Sequence, residues 1–108
     1  MSLEKTNNID FVSIGKKDDV VNLTLVDECD WDNEDRHLTL LQDKINTYLR
    51  FIESGEIEQV YPNSIGRKRS INIVAQFEPT ENGIKFLELV RNLIEKAGFG
   101  FRFETRQK

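Results

Sequence analysis

The sequence predicts an α+β fold in which two helices cover one face of a mainly antiparallel sheet. Three short segments alternate apolar and polar residues with a period of two, which is typical of strands with one buried and one solvated face. Two longer segments repeat apolar residues every three or four positions, which is typical of amphipathic helices. Together these patterns predict a two-layer α/β sandwich with the element order ββαββαβ.

The chain opens with a predicted hairpin. Residues 9–14 and 20–26 have the apolar content of strands, and the polar, glycine-containing segment 15–19 joins them as a turn. In the second strand, apolar residues at the odd positions alternate with polar residues. The first strand alternates less cleanly, which favours a position at the edge of the sheet.

Apolar residues at helical spacing predict a long helix over about residues 33–54. Asp32 or Asn33 is the expected N-cap, and Gly55 provides the left-handed residue that commonly ends a helix. The apolar stripe of this helix consists of Leu38, Leu41, Ile45, Tyr48, Leu49 and Ile52.

A second pair of strands is predicted at residues 57–61 and 70–78, with a loop between them. In the later strand, Ile71, Ile73 and Phe77 share one parity and are therefore expected to face the core.

The second helix is predicted to start at the N-cap Thr80 and to end at Gly98. Ile94 and Phe99 occupy the two positions that touch across a Schellman-type helix end. The last six predicted elements, βαββαβ, match the ferredoxin-like arrangement. We therefore expect a variant of that fold, in which the N-terminal strand lies at an edge or the strand order differs.

The C-terminal segment GFGFRF, residues 98–103, overlaps the pattern with which RNA-recognition domains present stacking aromatic side chains. That orientation would bury Arg102 and Glu104, and an unpaired buried charge costs several kcal/mol. The opposite orientation places Phe99, Phe101 and Phe103 beneath the helices. The pattern therefore favours a core strand, and no nucleic acid is expected as a partner.

Length and composition predict a single domain over residues 1–108, with residues 1–8 poorly ordered. No apolar run approaches the roughly 18 residues that span a bilayer, so no membrane partner is expected. The N-terminus lacks the apolar region of a secretory signal, and one cysteine excludes an intrachain disulfide. Both features favour a cytoplasmic location.

The net charge of −4 comes from one acidic patch, because residues 27–35 hold six of the 19 acidic residues. The rest of the chain has 15 basic and 13 acidic residues. The patch lacks the ligand spacing of a calcium loop, and it is typical of a helix start, where the dipole favours negative charge. No glycine-rich phosphate loop is present, so no metal or cofactor is predicted.

Two exposed clusters are the candidate sites for a protein partner. Trp31 is either a binding anchor or a residue that packs over the first turn of the long helix. His37 is expected to be solvated or to cap the helix, and Cys29 is a poor nucleophile because nearby carboxylates raise the pKa of its thiol. The candidate residues are Asp30, Trp31 and Asp32 in the acidic patch, and Arg67, Lys68 and Arg69 in the basic loop.

The segments LLQDKINTYLRFIESGEIEQVYP (40–62) and FEPTENGIKFLELVRNLIEKAGF (77–99) resemble a family of small bacterial proteins known only as a domain of unknown function. The IDFVSI start at 9–14 and the region around Trp31 extend the resemblance to nearly the whole chain. The resemblance implies a bacterial, stand-alone, single-domain protein. It transfers no activity and no site residues.

The first functional hypothesis is a non-enzymatic module that binds another protein or forms a homodimer through a sheet edge or the open sheet face. The acidic patch beside Trp31 and the absence of a catalytic constellation favour it. The alternative is a small-molecule or enzymatic domain with a pocket between helices and sheet or at a dimer interface. That alternative would use His37, Tyr48 or the acidic patch.

Overall fold

A computed structural model describes residues 3–106. The α+β class is confirmed, with a four-stranded sheet and the order ββααβαβ. A short 3-10 turn, Pro62–Ser64, separates the second helix from the third strand. The elements are β1 (Phe11–Ile14), β2 (Val21–Asp27), α1 (Glu34–Glu53), α2 (Glu56–Val60), β3 (Arg69–Ala75), α3 (Glu81–Lys96) and β4 (Gly100–Thr105).

The sheet is mixed, with strand order β1-β2-β3-β4. β1 is antiparallel to β2, whereas β2, β3 and β4 are parallel to one another. The prediction of a mainly antiparallel sheet is therefore wrong. The error arises because residues 57–61, predicted to be a strand, do not form one. Helices instead join β2 to β3, and a helical crossover brings the next strand back in the same direction.

Residues 56–60 form the short helix α2 rather than a strand. Gly55, at φ 84°, turns the chain from α1 into α2. Ile57 is fully buried, and the Tyr61 ring contacts Phe51 edge to face at 6.4 Å. Apolar residues in a five-residue segment satisfy a strand or a helix period equally well, which explains the error. The ferredoxin-like arrangement, which needs this strand, is wrong as well.

One face of the sheet lies against the helices, and the other is open and polar. β2 and β3 contribute alternate buried residues to the core, as their parity predicts. In β4, Phe101 is buried whereas Arg102 and Glu104 are exposed, which confirms the orientation predicted for this strand. Phe77 is an exception: β3 ends at Ala75, and Phe77 is 39% exposed instead of facing the core.

The predicted helix ends are confirmed. The side chain of Asn33 accepts a hydrogen bond from the Arg36 N–H at 3.2 Å, and the Thr80 hydroxyl accepts one from the Gly83 N–H at 3.1 Å. At the end of α3, the backbone N–H of residue 99 donates to the carbonyl of residue 94, as a Schellman motif requires.

A buried polar cluster fixes β1 to α1. The Lys44 ammonium is fully buried and lies 2.8 Å from Asp10 Oδ1, and Asp10 Oδ2 accepts the Val26 N–H at 2.9 Å. The Tyr48 hydroxyl accepts the Asp10 N–H and donates to the carbonyl of Thr24. Burial raises the pKa of Tyr48. This side chain is therefore a neutral structural group at the edge of the sheet.

Leu3 extends the core towards the N-terminus. Its side chain is fully buried, and its N–H donates to Glu28. The poor order expected for residues 1–8 stays a prediction, and its first two residues lie outside the described part of the chain. Within residues 3–106, no helix combines the length and the apolar character that a bilayer span requires.

Candidate partner-binding site

The two predicted candidate clusters lie at opposite ends of the sheet. In the parallel pair of β2 and β3, Val21 is opposite Arg69, and Asp27 is opposite Ala75. The basic loop therefore precedes the amino ends of the parallel strands, and the acidic patch follows their carboxyl ends. At a rise of about 3.3 Å per residue, the length of these strands separates the clusters by roughly 20 Å. They cannot form one compact site.

At the acidic end, Trp31 is held between two helix starts. Its ring stacks on His37 with centroids 3.7 Å apart. On α3, a Cβ placed on Gly83 would lie 2.8 Å from the far edge of the Trp31 ring, so only glycine allows this approach. Of the two alternatives for Trp31, the structure shows packing over the first turn of α1. Asp30 and Asp32, by contrast, are exposed.

His37 is buried, and the prediction of a solvated or capping residue is wrong. Its Nε2 lies 2.6 Å from Asp27 Oδ2, and its Nδ1 lies 2.9 Å from the carbonyl oxygen of Asp30. Asp27 is only 2% exposed and also accepts the Cys29 N–H. The sequence contains a hint of this pair, because Asp27 continues the alternation that points Val21, Leu23 and Leu25 towards the core. A carboxylate at such a position requires a polar partner.

Glu34 connects the starts of α1 and α3. It accepts hydrogen bonds from the Thr80 hydroxyl and from the Asn82 amide at 3.2 Å. These bonds, that of Thr80 first, hold the pKa of Glu34 below its ordinary value of 4.5. Their stabilising effect is therefore present above pH 4.5 and is lost as the pH falls through the lowered pKa.

Cys29 is an unreactive thiol in this setting. Burial, followed by the charges of Asp27, Glu28 and Glu4, raises its pKa from the ordinary 9.0 to about 11. The pKa of Cys29 is therefore raised, as predicted, although burial contributes more to the increase than the carboxylates do. The folded chain keeps the neutral thiol where the unfolded chain ionises, so this group lowers the free energy of unfolding between pH 9 and 11.

We expect iodoacetamide to alkylate Cys29 of the folded chain about tenfold more slowly than Cys29 of the urea-unfolded chain at pH 8. The raised pKa reduces the thiolate fraction about a hundredfold, and the greater nucleophilicity of a more basic thiolate recovers part of that loss. Mass spectrometry of timed samples from pH 7 to 11 measures both rates. Equal rates, with an apparent pKa near 9.0 in both states, would contradict the burial of the thiol.

The basic end is built by contacts between the loop before β3 and the β1–β2 turn. Arg67 pairs with Asp19 at 3.0 Å, and the Val21 N–H donates to the carbonyl of Lys68 at 2.8 Å. Arg69 instead pairs with Glu58 at 3.1 Å. The side chain of Lys68 is exposed, as are two further lysines of the β1–β2 turn, Lys16 and Lys17. The structure thus brings together lysines that are distant in sequence.

A cleft of about 470 Å³ lies beside this basic end, between β1 and the segment that follows α2. Its walls are mainly apolar. Val60 and Tyr61 are 56% and 40% exposed, so they present apolar surface of the cleft wall to solvent. The lining residues are Val12, Ser13, Ile14, Val21, Val60, Tyr61, Pro62, Asn63 and Ser64. We call this the edge cleft.

The edge cleft borders the free side of β1. The Gly15 N–H donates to the carbonyl of Val20, so odd-numbered residues of β1 face β2. The backbone groups of Val12 and Ile14 consequently point away from the sheet, while their side chains line the cleft. Sequence reasoning missed this site, because it combines a strand edge with residues some 50 positions later.

Neither residue proposed for an enzymatic alternative faces an open cavity. His37 and Tyr48 are 2% and 0% exposed, and their polar atoms are hydrogen-bonded to other parts of the chain. Within residues 3–106, histidine, cysteine and acidic side chains form no cluster of three or more that could hold a metal ion.

Comparisons with curated proteins and with solved structures find no match. A comparison with family models matches residues 1–107 to DUF6572, described as a family of unknown function. The match covers nearly the entire chain, including β1 and the segment that forms the edge cleft. The chain therefore belongs to the DUF6572 family.

Proposed function

We propose that this chain is a protein-binding module that takes up an extended segment of a partner along β1. One observation carries the proposal: Val12 and Ile14 present both outward backbone groups and the wall of an apolar cleft. An added strand gains main-chain hydrogen bonds from a sheet edge, and it places alternate side chains into any pocket beside that edge. β1 and the edge cleft supply both parts.

The chemistry of the cleft describes the partner segment. A residue that enters the cleft is apolar, because valine, isoleucine and tyrosine side chains form most of the wall. The basic end favours acidic residues next to it, since the exposed lysines Lys16, Lys17 and Lys68 outnumber the exposed aspartates Asp18 and Asp19 of the same turn. We therefore propose an extended partner segment with alternating apolar residues and with acidic residues near its end at the β1–β2 turn.

The acidic patch has a smaller part in this proposal than the sequence suggested. The Trp31 ring already packs against His37 and Gly83, so we do not assign it as the anchor for a partner. Among the predicted candidates, Lys68 is the residue best placed to meet an acidic segment, because Arg67 and Arg69 already pair with Asp19 and Glu58.

A display library of random linear peptides tests the proposal. We expect it to select acidic peptides with alternating apolar residues, and we expect Val12→Pro to weaken their binding by roughly tenfold or more. Proline at position 12 removes an outward N–H without disturbing the bonds to β2. Lys68→Glu should weaken the same peptides, and added salt should reduce that effect.

Phe11→Ala is the matched control for this experiment. Phe11 lies on the same strand and is 62% exposed, but it is not part of the cleft wall. Its replacement should leave peptide binding unchanged. Circular dichroism verifies that each variant is folded. The proposal is wrong if the library enriches no peptide, or if Val12→Pro and Phe11→Ala bind every selected peptide equally.

A small apolar molecule in the edge cleft is the second candidate, favoured by the cleft volume of about 470 Å³. The same variants separate the two functions. A small molecule makes no main-chain bonds to the edge of β1, and proline keeps an apolar side chain in the cleft wall, so Val12→Pro should reduce its affinity much less than Tyr61→Ala does. A thermal-shift screen of apolar acids and alcohols against both variants measures this difference.

A further inference from the structure

The opposite edge of the sheet carries a different pattern. β4 is the other terminal strand, and its neighbour β3 occupies only one of its sides. The Arg106 N–H donates to the carbonyl of Ala75. Because backbone direction alternates along a strand, the even-numbered residues of β4 bond to β3. The backbone groups of Phe101, Phe103 and Thr105 therefore point outward.

Charges of alternating sign line the open face of this edge. Arg102, Glu104 and Arg106 are exposed, and Arg106 lies 3.0 Å from Glu104. Charged side chains on an edge strand usually prevent it from pairing with another strand. Charges of alternating sign prevent pairing only in some registers, because like charges repel and opposite charges attract when they lie directly opposite each other.

Two copies of β4 can pair as antiparallel strands around a twofold axis, and strand length and charge together distinguish the registers. Axes through Phe101 or Thr105 lie near the ends of β4 and pair fewer of its residues. An axis through Arg102 places two arginines opposite each other, and an axis through Glu104 places two glutamates opposite each other. An axis through Phe103 places Arg102 of each copy opposite Glu104 of the other. In this register, Phe103 of one copy also lies opposite Phe103 of the other, and Phe101 lies opposite Thr105. The backbone groups of all these residues point outward, so each facing pair can form the hydrogen bonds of an antiparallel ladder.

The helix side of the same edge combines apolar residues with the charged Glu78, Glu88 and Arg91. Phe103 is only partly buried, and it lines a groove of about 350 Å³ between β4 and α3. Ile84, on the other side of that groove, is 48% exposed. In the register centred on Phe103, the two phenylalanine side chains meet on this side of the sheet. Their contact removes exposed apolar surface, and aromatic pairs across strands are favourable.

We propose that two copies of this chain associate through β4, in antiparallel register centred on Phe103, to form one continuous sheet. The inference is independent of the proposed function, because it uses the edge opposite to the edge cleft. The interface is short, so the dimer is weak and in exchange with the monomer. Association leaves β1 of both copies free.

Charge exchange tests the register directly. We expect Arg102→Glu and Glu104→Arg each to weaken dimerisation by roughly tenfold, because each places like charges opposite one another at both symmetric positions. The double variant Arg102→Glu/Glu104→Arg should recover the dimer. An equimolar mixture of the two single variants should form a heterodimer, since every facing pair is then again of opposite sign.

Sedimentation equilibrium from micromolar to millimolar protein, at low salt, measures these associations. Lys85→Glu changes the net charge by the same amount as Arg102→Glu but lies on α3, and it should leave the dimer unchanged. A chain that stays monomeric throughout would overturn the proposal. A dimer that responds alike to Arg102→Glu and to Lys85→Glu, or that the mixture fails to restore, would overturn it as well.

Discussion

Replacing Asp27 with alanine is expected to lower the free energy of unfolding by about 3–5 kcal/mol, the range found when a buried pair of ionisable groups loses one partner. Asp27 accepts from the Cys29 N–H at 3.1 Å and lies 2.6 Å from His37 Nε2. Alanine leaves the Cys29 N–H and the His37 Nε2 without their shared partner in an enclosed site. Urea denaturation followed by circular dichroism measures the loss.

Asp27→Asn and Asp30→Ala are the controls for this prediction. Asparagine keeps an oxygen for the Cys29 N–H and an N–H for the His37 ring, so it should cost much less than alanine. Asp30 contacts His37 through its backbone carbonyl, which the substitution retains. Its exposed carboxylate also accepts the Asp32 N–H at 3.1 Å, so we expect Asp30→Ala to lower stability by no more than about 1 kcal/mol. If Asp27→Ala were as stable as these controls, the pair would not be a structural element.

Replacing Asp10 with alanine is expected to have a comparable effect, also about 3–5 kcal/mol. The fully buried Lys44 ammonium loses the carboxylate at 2.8 Å, and the Val26 N–H loses its acceptor. Because Asp10 directly precedes β1, the substitution should also loosen β1 from the sheet. Hydrogen exchange of the amides that join β1 and β2, together with urea denaturation, tests both consequences.

Lys44→Met separates the charge from the packing. Methionine fills most of the space of the lysine side chain without a charge, so Asp10→Ala in the Lys44→Met background should cost far less than Asp10→Ala alone. The difference between the two costs is the coupling energy of the pair. Additive effects of the two substitutions would show that the contact between Asp10 and Lys44 contributes nothing measurable.

Each of the two buried pairs positions a neighbouring segment, and one of these segments is a surface to which we assign binding. The cluster of Asp10, Lys44 and Tyr48 holds β1 where the edge cleft needs it. The pair of Asp27 and His37 orients the loop that carries Trp31. Polar residues inside the molecule thus position the edges and loops, whereas the residues proposed to contact a partner are mostly apolar or basic.

Sequence patterns predicted the structure correctly where it depends on a few neighbouring residues. The N-cap Thr80 and the Schellman end at Gly98 depend on neighbours within a few residues, and the sequence predicted both. For the N-cap of α1 it left Asp32 and Asn33 as alternatives, of which the structure shows Asn33. The orientation of β4 was predictable because burial of Arg102 and Glu104 would be costly. By contrast, residues 57–61 were too few for their period to distinguish helix from strand, and that error changed the predicted direction of the sheet.

The sequence by itself determined the α+β class, both long helices and the sides of the strands that face the core, because periodicity and capping act over short distances. Only the tertiary structure decided that β2, β3 and β4 run parallel, since strand direction follows from the path of the whole crossover. It also placed His37 in the interior against Asp27 and left the outer sides of β1 and β4 open. Those contacts join residues far apart in the chain, and no local pattern contains them.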